Sequence, residues 1–188
     1  SDRPKIEDPL EIEKYETHLP LHSLDAVAAS EPAGEWGAGA QEKLIETLGW
    51  IRVMLPGQRL NDKMFVAQIK GNSMDNGKNG LTNGAYAVFQ LWPVGSRQGK
   101  IVLVKGSFTD PETDTFAVKK YVADTRDEEG RHNIIKLVSL NPDNNKYPDI
   151  TLLPEQDGDV SIVAELISPL LPEDYQRAVP AQNHGTIH

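Results

Sequence analysis

Beyond Trp50 the hydrophobic pattern shifts toward period two in short runs, the pattern expected of strands that turn one face to a core. Such runs stand at WIRVM (50–54), MFVAQIK (64–70), AYAVFQL (85–91), KIVLVKG (100–106), TFAVKKYV (115–122), NIIKLVSL (133–140), DITLL (149–153) and VSIVAELI (160–167). Turn-forming clusters separate them, among them LPGQRLND, NGKNGLTNG and NPDNNKYPD, rich in residues that cap local backbone or accept positive φ. SFTDPETDT (107–115) reads as a hairpin loop entered through Asp110-Pro111. The pattern predicts an all-β domain of about eight short strands. One short helix is expected at QEKLIETLG, where Leu44, Ile45 and Leu48 share a helical face and Gly49 stops it.

The flanks lack this periodicity. Residues 1–18 read as an acidic tail, and residues 19–49, which include the Gly/Ala/Pro-rich DAVAASEPAGEWGAGA, as a flexible segment ending in the short helix. The core is expected over 50–171, with a mobile tail over 172–188. A chain of 188 residues that starts at Ser1 fits one domain of a longer or processed protein. No run approaches the roughly 20 apolar residues of a membrane span, and the start lacks a signal peptide's charged-then-apolar pattern. The expectation is a soluble, cytoplasmic protein without membrane contact.

Charge narrows the classes of function. The net charge is −9 and there is no cysteine, which excludes thiol catalysis and cysteine metal sites and argues against a free-standing binder of nucleic-acid backbone. Residues 51–105 nevertheless hold 8 Lys/Arg against 2 Asp/Glu, between flanks of 4 against 11 (1–48) and 7 against 15 (106–188). Either these are solvated faces, or an acidic segment docks on a basic middle.

Candidate chemistry centres on KGNSMDNGK (70–78), where Ser73 is either a turn residue or a nucleophile. A serine needs a base. His18, His22, His132, His184 and His188 fall in expected tails or a loop, and the pairs His18/His22 and His184/His188 are interrupted by Pro20 and Gly185, so neither a Ser-His-Asp triad nor a metal site is expected. The other base is a lysine made neutral by burial. In TFAVKKYV, alternation puts Ala117, Lys119 and Tyr121 on one face and Phe116, Val118 and Lys120 on the other, so Lys119 stands between a small residue and an aromatic that can exclude water. A solvated strand lysine is the competing reading. Met74 reads as packing, and Asp75 as a turn carboxylate or a tuner of Lys119.

The succession GNSM, GAYAVF, GKIVLV, FAVKKY and VSLNPDNNKYPDI resembles the peptidase domain of LexA and UmuD, a family that includes phage repressors and, more distantly, signal peptidases. The resemblance runs from about Leu19 to Leu171. It implies the LexA/signal-peptidase β-fold, Ser73 as nucleophile, Lys119 as general base and the amides of Asn72 and Ser73 as oxyanion hole, with no cofactor. It also implies limited cleavage, of the chain's own N-terminal segment or of a partner protein or peptide, and a possible homodimer. Repressor members cut between a small residue and glycine. The matching bonds here are Ala33-Gly34 first, Ala38-Gly39 second and Ala29-Ser30 third, the last weakened by Ser30 in place of glycine.

Residues 1–18 are too short for the repressors' helix-turn-helix, so any DNA contact would come from other parts or partners. GSRQGKIVLV and TDPETD resemble stretches in peptidase-like domains of larger bacterial proteins that carry helicase or defence modules, which suggests stress or phage-defence regulation. The alternative from another class is a non-catalytic module that holds an extended segment in the same cleft by strand addition.

Overall fold

The computed structural model describes residues 12–24, 46–91, 95–110, 113–123, 134–152, 160–176 and 179–180. These form ten strands: β1 (His18–Ser23), β2 (Glu46–Arg52), β3 (Met64–Gln68), β4 (Tyr86–Leu91), β5 (Ile101–Asp110), β6 (Thr113–Ala123), β7 (Ile135–Val138), β8 (Ile150–Leu152), β9 (Val160–Leu170) and β10 (Val179–Pro180). They make one mixed sheet in the order β10-β2-β1-β3-β4-β9-β5-β6-β7-β8. Every pairing is antiparallel except that of β1 with β3. Among the described residues no helix is long and apolar enough to cross a membrane.

Strands β3, β4 and β5 are covered on both faces, which is why MFVA, AVF and IVLV are continuous apolar runs rather than strict alternations. On one side Phe65, Ala67, Ala87, Phe89 and Leu103 join Met74 and Leu81 in the central cluster. On the reverse, Met64, Val66 and Val88 pack with Leu19, Leu21 and Ile51, and Val102 and Val104 pack with Leu137 and Leu152. Phe65 and Phe89 stack with centroids 5.5 Å apart, a contact worth about 0.5–1.5 kcal/mol beyond the area it buries. The register shifts at Leu21/His22, Val88/Phe89 and Leu103/Val104, irregularities that bend a sheet and increase its twist.

All eight expected strands are present, and the all-β class holds. The N-terminal flank differs from expectation. His18–Ser23, expected as the end of the tail and the start of the flexible segment, is a strand between β2 and β3, with Leu19 fully buried. Pro20 disguised it; that residue lies outside the β3 ladder, whose pairs are Leu21–Val66 and His22–Ala67, so its missing N–H is tolerated.

Residues 46–49, expected to end a helix, begin β2, because Thr47 and Gly49 pair with His22 and Leu21. Leu48 falls at the register shift and is 45% exposed rather than packed on a helical face. The expected helix's Leu44 and Ile45 lie outside the described residues. The hairpin strands run on to Asp110 and from Thr113, which pair with each other and leave a loop shorter than the one expected. Within the expected mobile tail, the described residues 172–176 and 179–180 are structured: Pro172–Asp174 forms a 3-10 turn, Tyr175 bridges to Val53 and β10 pairs with β2.

Candidate active site

The segment between β3 and β4 carries Ser73 out of the sheet and is pinned at both ends. At its neck Ile69 N–H donates to Ala85 C=O and Gly84 N–H to Ile69 C=O. Within it the short polar side chains satisfy backbone that no strand pairs. Asn83 Oδ1 accepts from Gly71 N–H at 2.7 Å, Asp75 Oδ1 from Gly77 N–H at 2.8 Å, and Asn76 Oδ1 from both Lys78 and Asn79 N–H. Met74 and Leu81, each 1% exposed, anchor it in the central cluster. Gly71 has φ +81°, a conformation that costs glycine nothing. Ser73 is left half-buried, one residue before a fully buried anchor.

Lys119 comes from the middle of β6. Its face is the one that alternation gave it: Ala117 and Tyr121 pack with Val102 and Leu137, while Phe116 and Val118 pack on the central cluster. Val102 of β5 pairs with Lys119 on one side. On the other, the ladder Tyr121–Leu137 and Lys120–Val138 brings Ser139 alongside it at the next step.

Lys119 Nζ lies 3.1 Å from Ser73 Oγ and donates to Ser139 Oγ at 2.8 Å. The lysine is 8% exposed and Ser139 5%. Burial pushes the Lys119 pKa below the ordinary lysine value, because an ammonium loses hydration there; the negative charge of Asp149 opposes this in part. A neutral amine has two N–H groups and one lone pair. In that neutral form one N–H can stay on Ser139 while the lone pair faces the Ser73 hydroxyl.

The structure therefore brings Ser73 and Lys119 together, residues 46 apart in sequence. Among the described residues no histidine stands beside Ser73 in place of the lysine. His18 is buried on β1 with Nδ1 2.8 Å from Thr17 Oγ1, and the His22 ring lies tilted against Phe65 with centroids 5.1 Å apart. On a strand, four residues separate the two by roughly 13 Å along the chain, so they do not form a shared site; His18 is buried and His22 half-buried. Among the described residues no group of three His, Asp or Glu is placed to hold a metal ion.

Met74 packs in the core, and Asp75 caps its own turn. His132, His184, His188 and the candidate bonds at Ala29-Ser30, Ala33-Gly34 and Ala38-Gly39 lie outside the described residues. Ser139, Asn141 and Asp149 were missed by sequence reasoning. All three lie in VSLNPDNNKYPDI, and the one usable signal was a hydroxyl at 139 on the same strand face as Leu137.

Comparison with protein families gives a match to the Peptidase S24-like model over residues 25–167. The chain belongs to the Peptidase S24-like family. No curated protein matches it. The S24-like match contains Ser73, Lys119 and Ser139 together with strands β2 to β8, and the S24-like β-fold, of the LexA, UmuD and signal-peptidase superfamily, agrees with the single sheet described above.

Proposed function

We propose that the chain is a serine endopeptidase that cuts one peptide bond, in its own N-terminal segment first, with Ser73 as nucleophile and Lys119 as base. The observation that carries the reading is the 3.1 Å approach of a buried lysine amine to a half-exposed serine hydroxyl. Ser73 Oγ attacks the carbonyl carbon while its proton passes to Lys119 Nζ. The oxygen of the tetrahedral intermediate takes hydrogen bonds from the Asn72 and Ser73 N–H groups. The C–N bond then breaks as Lys119 gives the proton to the leaving nitrogen. Water, deprotonated by the same amine, releases the acyl group from Ser73. Ser139 holds the lysine so that its lone pair meets the nucleophile.

Self-cleavage is favoured by the small residues of AVAASEPAGEWGAGA, which let an extended strand approach Ser73 closely. Ala33-Gly34 ranks first because it pairs a small residue with glycine and has Trp36 beyond it as an anchor. The role is regulatory: a single cut changes a segment's connection to the domain. Intact mass after incubation at neutral and alkaline pH tests the reading, and the larger product is expected to begin at Gly34. A chain that stays whole while cutting an added peptide removes self-cleavage and keeps the peptidase. A chain that binds such a peptide without cutting it leaves the non-catalytic module.

A further inference from the structure

The stretch that follows β7 touches the site twice. Ser139 accepts from Lys119, and two residues on, Asn141 grips the turn that carries Ser73. Its backbone N–H donates to Ser73 C=O at 2.9 Å, and its side-chain Nδ2 donates to Asn72 C=O at 2.9 Å. A turn-forming asparagine needs only its oxygen for its own turn, and Asn141 Oδ1 already serves there, accepting from Asp143 N–H at 2.9 Å. That bond fixes the amide's orientation and leaves Nδ2 to reach across to position 72.

The peptide between residues 72 and 73 is trans, so its C=O and N–H point in opposite directions within one plane. Asn141 Nδ2 and Asp75 N–H, the latter at 3.1 Å, hold the Asn72 C=O on their side. The Ser73 N–H is thereby turned away from both, and it donates to no protein acceptor among the described residues.

We infer that Asn141 is a positioning residue of the peptidase, which through the Asn72 carbonyl sets the plane of the 72–73 peptide and aims the Ser73 N–H at the oxygen of the attacked carbonyl. The inference rests on the Ser73/Lys119 reading. It gives the polar run after β7 one task with two parts: Ser139 orients the base and Asn141 the oxyanion donor.

Two variants of the full chain test it. Asn141→Asp keeps the size and the acceptor for Asp143 N–H but loses the Nδ2 donor; Asn141→Ala loses both without adding a charge. Cleavage of the chain's own N-terminal segment, or of a synthetic peptide of residues 25–40, is followed from neutral to strongly alkaline pH. In both variants the alkaline plateau rate is expected to fall about 10- to 100-fold, less than complete loss of an oxyanion donor. The pH midpoint of Asn141→Ala is expected to stay in place, because Lys119 keeps its burial and its bond to Ser139.

A side chain that only filled space would let Asp substitute freely, so loss in Asn141→Asp with an unchanged melting temperature supports aiming. If Asn141→Ala does not fold, the Asp variant decides alone. A plateau within about twofold of the unaltered chain, or a loss in the Ala variant that is wholly a shift of midpoint, overturns the inference. If the unaltered chain cuts neither its own segment nor the peptide, the peptidase reading itself fails and the inference with it.

Discussion

Lys119 and Lys120 are neighbours on β6, yet the two faces of that strand treat the same side chain in opposite ways. Lys119 points toward Val102, Leu137 and Ser139, is 8% exposed and has its pKa lowered by burial. Lys120 points to the other face and stays half-exposed, paired in the ladder with Ile101 and Val138. In the proposed mechanism the base is set by desolvation of one particular amine. Residue type contributes less than the face on which it stands, because the free energy that makes a lysine a base at moderate pH is the lost hydration of its ammonium.

The contrast between the two lysines is lost when Lys119 is removed. Lys119→Ala and Ser73→Ala are each expected to reduce cleavage by about a thousandfold or more while the protein stays folded, since each deletes half of one proton-transfer pair. Lys119→Arg is expected to be as inactive as Ala, because a guanidinium keeps its proton at working pH. Mass spectrometry of the product over time, beside circular dichroism of the same samples, checks all three.

Ser139→Ala sharpens the contrast by loosening the amine without deleting it. A roughly tenfold lower plateau rate is expected, with the midpoint moved to lower pH because an acceptor that favours the charged form is gone. An unchanged pH–rate profile in this variant would remove Ser139 from the mechanism.

Stability carries the same signature. Between the lowered Lys119 pKa and the ordinary lysine value of 10.5, the unfolded chain binds more protons than the folded one, so stability rises with pH across that window and falls again as pH drops toward the folded pKa. Lys119→Met is expected to flatten this dependence in melting curves taken at a series of pH values. The smallest effect belongs to Lys120→Ala, expected to stay within about twofold of the unaltered rate, in line with a surface substitution; a dead Lys120→Ala with an active Lys119→Ala would invert the assignment of faces.

These faces were legible in the sequence because β3 to β5 hold continuous apolar runs and β6 alternates, each as its coverage requires. The pairing of Ser73 with Lys119 needed the resemblance as well, since a serine among glycines and asparagines reads first as a turn. Less could be read where local chemistry is ambiguous. Pro20 and acidic neighbours hid β1, and the spacing of Leu44, Ile45 and Leu48 imitated a helix where residues 46–49 are strand. Ser139 and Asn141 were illegible for a different reason. Their side chains act on residues 20 and 69 positions away, while within their own segment they look like ordinary turn residues.

The pH dependence of the cleavage rate bears most directly on the claim that a desolvated Lys119 is the base for Ser73. Intact mass of the full chain, followed over time from neutral to strongly alkaline pH, is predicted to show a rate that rises with pH and levels off, with a midpoint below 10.5, and no cleavage in Lys119→Ala at any pH. A rate independent of pH over that range, or a Lys119→Ala chain that cleaves as fast as the unaltered one, would contradict it.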